Sequence, residues 1–203
     1  MTRQTLVPSD VAFTPAVKAI QARNGSRGAY ARMEEGEGWE TTLTPEVAAF
    51  IAAQTSVFLG TANAAGQPYI QHRGGPAGFL RVLDETTIGF ADLRGNRQFI
   101  TLGNLAENPR AHLFLIDYAQ RRRVKIWGEA RVVEDQPALL EKLVPASEKS
   151  RAERAIMFSV AAWDANCPKH IPQRFEAADV ARALEERDRR IAELEKELAR
   201  LTR

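Results

Sequence analysis

The sequence predicts a mainly β fold with flanking helices, in which a small barrel of short strands is followed by one long C-terminal helix. Three observations lead there. Short runs with strand character recur through residues 56–133, broken by turn residues at 63–66, 74–76 and 84–85. A single helix-like run, residues 99–105, interrupts them and stops before Asn108-Pro109. The last residues, 176–203, are dense in Glu, Arg and Leu at helical spacing. Five or six short strands with one internal helix favour a small closed barrel over a doubly wound parallel sheet.

Taken in order, residues 1–43 read as an N-terminal arm. It opens irregularly at Pro8 and Pro15, forms a short helix near residues 16–23, and then runs through glycines and charges to Trp39, which anchors its end. Residues 44–175 form the barrel and a C-terminal loop. Thr44 caps a helix that starts at Pro45 and turns Phe50 and Ile51 inward. Strands follow at 56–62 and 67–73 as a hairpin, at 79–83 and 86–90 as a second hairpin, and at 110–117 and 123–133. Residues 137–160 read as helical, with Pro145 breaking the run and residues 156–160 a strand candidate, and residues 161–175 read as a loop. Residues 176–203 form a coiled-coil helix: Leu184, Ile191, Leu194, Leu198 and Leu201 fall on a and d positions, and Arg187 interrupts one d position. A single surface helix packed on its own barrel is the alternative.

At 203 residues the chain can bury one sizeable core. A net charge of only +2 gives no global basic field, so nucleic-acid binding finds little support. No apolar run is long enough to span a bilayer, and the N-terminus lacks a basic-then-apolar leader pattern; a cytoplasmic location is the expectation. The single cysteine, Cys167, excludes an internal disulfide and a multi-cysteine metal site. No metal site is expected.

The segment 91–98, Ala-Asp-Leu-Arg-Gly-Asn-Arg-Gln, carries the strongest chemical signal. It leaves a strand and opens a helix. Free N–H groups, a positive dipole end and forked Arg donors suit it to hold an anion such as a phosphate.

The ordered set Gly66-Gln67-Pro68-Tyr69, Phe90-Ala91-Asp92, Gly95-Asn96-Arg97-Gln98, Asn108-Pro109-Arg110 and Arg123-Val124-Lys125-Ile126-Trp127-Gly128 resembles the pyridoxamine 5′-phosphate oxidase-like family of FMN-binding split barrels. The resemblance covers roughly residues 45–135. It implies a six-stranded split barrel, a homodimer and FMN at the subunit interface. It further implies that Gln71, His72, Arg73 and Gly74 run along the flavin with their backbone groups. Asp92 would stand near the ribityl chain. Asn96, Arg97 and Gln98 would match a Ser-Arg-Lys phosphate grip, with Gln98 replacing the Lys and Arg94 or Arg73 supplying the second charge. Arg123 and Lys125 would face the flavin from the long strand.

The segment from Trp163 to Phe175 resembles the Asn-Cys-Pro-Lys/Gln-Tyr/His-Ile loop of one branch of that family. It implies that Cys167, Pro168, Lys169 and His170 pack against the flavin, from the partner subunit, with Lys169 or His170 close to flavin or substrate. Trp163 either stacks there or fills core. Cys167 lacks an orienting partner for nucleophilic work. The Arg- and Trp-rich segment ending in Leu-Ala-Pro that holds pyridoxal phosphate in the named oxidase has no counterpart, so oxidation of pyridoxamine phosphate itself is not implied.

Three functional readings follow. The first is an FMN-dependent oxidoreductase passing hydride through flavin N5 to or from a small substrate, with NAD(P)H or a separate reductase as partner. The second is a non-catalytic flavin carrier or redox partner. The third is haem or another anionic cofactor, ligated by His72, His112 or His170, the only histidines. The catalytic residues and the substrate are not legible.

Overall fold

The computed structural model describes residues 7–36, 38–166 and 168–202. Two short helices lead the chain, α1 (Pro15–Arg23) and α2 (Arg27–Glu35). The second lies in the stretch expected to be irregular. Its residues between Gly28 and Gly36 are good helix formers, and Arg27 and Lys18 both pair with Glu34, which ties α2 to α1. Helix α3 (Pro45–Ala53) starts as expected: Thr44 Oγ1 accepts from Val47 N–H at 3.3 Å, Pro45 follows, and Val47, Phe50 and Ile51 are buried.

Seven strands form one antiparallel sheet: β1 (Ser56–Ala62), β2 (Pro68–Gly74), β3 (Arg81–Asp84), β4 (Thr87–Leu93), β5 (Arg110–Asp117), β6 (Arg122–Val133) and β7 (Ala152–Asn166). Helix α4 (Ile100–Glu107) joins β4 to β5, and α5 (Pro137–Leu143) with a 3-10 turn (Ala146–Arg151) joins β6 to β7. The strand order is β2-β1-β5-β6-β7-β4-β3. This corrects the expected closed, six-stranded barrel: there are seven strands, and no pairing among the described residues joins β2 to β3.

The seventh strand is the main departure from the sequence reading, which placed helix through 152–155 and loop through 161–166. β7 pairs with β6 from Arg123↔Asn166 to Val133↔Ala155 on one edge, and its first half pairs with β4 from Thr87↔Ser159 to Leu93↔Ala152 on the other. The β6 pairing shifts register between Trp127 and Gly128. Glycine is required there, because a Cβ on Gly128 would lie 2.0 Å from the Ser159 carbonyl oxygen.

One face of the sheet closes on the core. Val57, Leu59, Ile88, Leu113, Leu115, Ile126, Ile156 and Phe158 are each at most 1% exposed and belong to one cluster with α3. Burial of each contributes about 1.5–3 kcal/mol. The described chain divides into two units. The first runs to Ile116 and resumes from Arg123 through β7. The second holds residues 117–122 and the chain from Pro168 onward, including α6 (Ala177–Leu201). Within the second unit, Arg174 N–H donates to Tyr118 O and its guanidinium lies 4.7 Å from the Tyr118 ring centroid. No residue of α6 is buried.

Candidate functional site

Strand alternation on β2 decides which side chains enter the site. Tyr69, Gln71 and Arg73 are half-buried, whereas Ile70, His72 and Gly74 are exposed on the opposite face. Opposite Arg73, β4 brings Asp92, 7% exposed, to the end of its run. The chain then leaves the sheet, tied down by Arg94 N–H donating to Arg151 O at 2.7 Å.

The turn before α4 is conformationally costly. Arg97 (φ 60°) and Phe99 (φ 56°) both adopt the left-handed region without being glycine, a conformation that persists only where surrounding contacts hold it. Asn96 Oδ1 accepts from Gln98 N–H at 3.2 Å. The Phe99 ring lies between two guanidiniums, with Arg97 at 5.6 Å and Arg154 at 5.7 Å from its centroid. Thr101 Oγ1 donates to Gln71 Oε1 at 2.7 Å, fastening α4 to β2. Phe99, in place of a capping side chain, precedes the helix and makes no side-chain cap bond.

A groove runs along these elements, lined by Tyr69, Gln71, Arg73, Asp92, Glu153 and the stretch from Gly95 to Leu102. It shares Gln71, Arg73, Leu93 and Gly95 with a second cavity of about 180 Å³, which is lined further by Gly74, Gly75, Phe79, Phe90 and Pro145. One end is therefore cationic and polar, and the other is glycine-lined and aromatic.

The charges at the polar end are organised. Asp92 pairs with Arg73 on Oδ1 and faces Arg154 Nε from Oδ2 at 3.7 Å. Arg154 also pairs with Glu153 at 2.9 Å and with Glu134 at 3.1 Å, and Glu153 accepts from Arg94 Nε at 3.0 Å. The hydrogen bond from Arg94 holds the Glu153 carboxyl below its ordinary range, with Arg154 adding to it. The Nε atoms of Arg73 and Arg154 are buried and have no hydrogen-bond partner. Such orphaned donors cost about 1–3 kcal/mol each, and an anion's oxygens in the groove would satisfy that of Arg73, which lines it. The residues fit a ligand with a phosphate at one end and a flat apolar body.

A family model described as pyridoxamine 5′-phosphate oxidase matches residues 43–167. The chain belongs to that family. Solved structures resemble this pyridoxamine 5′-phosphate oxidase family member in fold. An FMN-binding protein from Syntrophomonas wolfei is 11% identical over 75% of this chain and 97% of its own, with a TM-score of 0.48. HupZ from Group A Streptococcus is 13% identical over 65% and 99%, at 0.49. General Stress Protein 26 from Bacillus anthracis is 16% identical over 57% and 86%, at 0.42. Likeness at this level carries no functional argument. Comparison with curated proteins finds no significant sequence match.

Of the residues singled out from sequence in this family member, the fold brings Gln71, Arg73, Asp92, Asn96, Arg97 and Gln98 to one groove, with His72 and Gly74 lining the adjoining cavity. Arg94 is drawn to Glu153, and the Asp92 carboxylate is engaged by guanidiniums. Arg123 and Lys125 do not line the groove of their own chain. They alternate with the buried Val124 and Ile126 and so face away from the core. Lys125 Nζ lies 3.0 Å from Asp164 Oδ2 and over Trp127 and Trp39, two rings stacked 4.5 Å apart. The Arg123 Nε is also buried without a partner.

Trp163 is core: it is 9% exposed, and its indole N–H donates to Thr42 O at 2.9 Å. Pro168, Lys169 and His170 are exposed and belong to the second unit, and Cys167 lies outside the described residues. His72 Nε2 is 2.8 Å from Ser56 Oγ. His112 meets the edge of Trp127 at 4.9 Å, and burial, with the Lys125 charge second, lowers its pKa to about 4.

Arg154, Glu153, Phe99 and Thr101 were missed. The first two sit on β7 in a stretch whose alanines and charges mimic a helix; its signal would have been the Ile156–Val160 strand extended backwards. Phe99 and Thr101 looked like ordinary first-turn residues of α4.

Proposed function

We propose that this chain binds FMN in the composite groove and acts as an FMN-dependent oxidoreductase on a small substrate. Family membership supports the cofactor class. The observation that carries the reading is the orphaned Arg73 Nε at the cationic end of a groove continuous with a glycine- and aromatic-lined cavity. Bound there, FMN supplies hydride transfer at its N5.

The chain's own residues bind and orient. Arg97 and Arg73 meet the phosphate as charge-assisted donors, helped by the free N–H groups at the start of α4. The backbone of Gln71–Gly74 borders the ring, and Phe79 and Phe90 exclude water beside it. Gln71 is itself fixed by Thr101 and so holds β2 against α4.

We infer further that the working form is a homodimer with FMN at the subunit interface. In that form Arg123 and Lys125, which do not line the groove of their own chain, reach the flavin of the partner, together with Lys169 and His170. An outward sheet face with Ile70 69% and Phe58 36% exposed supports a covering subunit. The apolar stripe of α6 supports pairing of that helix with its copy.

The test is equilibrium titration of purified protein with FMN and with riboflavin, followed by flavin fluorescence. FMN is expected to bind at least tenfold more tightly than riboflavin, because only FMN carries the phosphate. Arg97→Ala should lower FMN affinity about tenfold or more while leaving sedimentation unchanged. A protein that takes up neither flavin would overturn the reading. If FMN binds but neither NADH nor NADPH reduces it, with or without an added reductase and acceptor, the carrier role replaces the enzyme role.

A further inference from the structure

We propose that Arg154 is a positioning residue of the anion site, and that with Asp92 it forms a hand-over device that frees Arg73 for a phosphate group. The inference rests on the anion-binding reading of the groove, not on the flavin.

Arg73, Asp92, Arg154, Glu153 and Arg94 form a chain of alternating charge. Its middle is sheltered: the side chains of Asp92, Arg154 and Glu153 are 9%, 15% and 18% exposed. One end, Arg73, lines the groove, and the other, Arg94, flanks it next to Gly95 in sequence. Arg154 is not among the residues that line the groove, so it acts through its neighbours. Two carboxylates this close to a phosphate site would repel the ligand and hold Arg73 and Arg94 to themselves. Arg154 is the one guanidinium that touches both, and it offsets that charge.

The two buried Nε atoms without partners fit one exchange. In the structure, Asp92 Oδ1 accepts from Arg73, and Oδ2 stands 3.7 Å from Arg154 Nε, too far for a hydrogen bond. A dianionic phosphate in the groove competes with Asp92 for Arg73. As Arg73 turns to it, its orphaned Nε–H and the Nη1 released by Asp92 donate to phosphate oxygens, and Asp92 closes the remaining gap to Arg154 Nε. Both orphaned Nε–H groups, of Arg73 and Arg154, have an acceptor at the end. The ligand class is a phosphate monoester or free phosphate.

The test is a double-mutant cycle with inorganic phosphate, FMN and riboflavin as probes, read by calorimetric titration on the full chain. Arg154→Ala should weaken phosphate and FMN binding by about tenfold or more, with riboflavin unaffected. Arg154→Lys, which cannot span both carboxylates, should recover only part of the loss. In Arg154→Ala/Asp92→Asn, affinity for phosphate should return to within about threefold of the parent, because the carboxylate that competes with phosphate for Arg73 is neutralised. A purely structural Arg154 would show no such rescue. Unchanged phosphate affinity in Arg154→Ala, or no rescue in the double variant, overturns the proposal. Arg154→Gln replaces the alanine variant, with the same outcomes required, if that one does not fold. If the parent binds phosphate with this pattern but no flavin, the device stands and the FMN reading falls.

Discussion

His112 shows how one side chain couples the fold to pH. It is a strand residue held between Trp127 and the charge of Lys125, and Lys125 in turn faces Asp164. Burial favours the neutral imidazole, so its folded pKa, about 4, lies below the ordinary value of 6.5. A depressed folded pKa means that the unfolded chain binds the proton more readily. The stability this group contributes is therefore complete above pH 6.5 and is lost as pH falls from there towards 4. The carboxylates held low, Asp10, Glu34, Asp84 and Glu153, begin to lose their contribution only near their ordinary values of 3.8 and 4.5, at the acid end of that window. The thermal midpoint should fall between pH 6.5 and 4.5, and His112→Gln should flatten that fall; a parallel decline in both proteins would assign the effect elsewhere. At this scale, the groove was legible where a residue type implies its chemistry. Arg97, Asn96 and Arg73 could be picked out as candidate anion ligands, and the fold brings them to one groove. Arg154 could not, because its role comes from pairing with β4, a contact sixty residues away in sequence. For Lys125, alternation gave the face of β6 but not the neighbours that share it, Asp164, Trp127 and Trp39.

Among the elements, β7 decides how much of the chain is sheet. Its residues 161–166 include three alanines and one tryptophan, so hydropathy does not alternate and the sequence resembles a loop. Pairing with β6 through Asn166, with a bridge from Trp163 to Glu40, overrides that weak local preference, while residues 155–159 pair on both edges and make β7 a central strand. The hairpins, α3 and α4 were readable because turn residues, a Thr-Pro cap and Asn-Pro stops act locally. The cross-sheet partner of β7 does not. Gly128 is the point where this long pairing depends on one atom. A methyl group there meets backbone at 2.0 Å and the Phe158 ring at 2.7 Å, and neither can retreat within a paired strand. Gly128→Ala should cost about 3 kcal/mol or more, at the upper end of single-site effects. Chemical denaturation would measure it. Gly103→Ala, on the helix surface with nothing within 4 Å, should be neutral to stabilising in the same assay.

For the whole molecule, the question is what covers α6. The helix is 25 residues long, has no buried residue, and leaves Leu184, Ile191, Leu194, Leu198 and Leu201 between 46% and 78% exposed. A helix of that length is about 38 Å long, and one apolar stripe along it is a poor solvent-facing surface. Two copies in parallel register bury the stripe and place Arg190, at a g position, against Glu195 of the partner subunit at an e position, twice by symmetry. The fully overlapped antiparallel alternative sets Arg190 against its own copy and Asp188 against its own copy, and like charges there oppose pairing. The parallel form has a defect of its own, because Arg187 meets its copy at the seam. Two results are therefore expected. Arg187→Leu should raise the melting temperature of the helical signal and make it less dependent on protein concentration. In a Cys167→Ser background, Leu201→Cys should form a disulfide-linked dimer on mild oxidation, because parallel helices bring their last d positions together. If Leu201→Cys stays monomeric on denaturing gels while the parent sediments as a dimer, α6 does not pair in parallel, and the sheet face that exposes Phe58 and Ile70 must hold the two copies together instead.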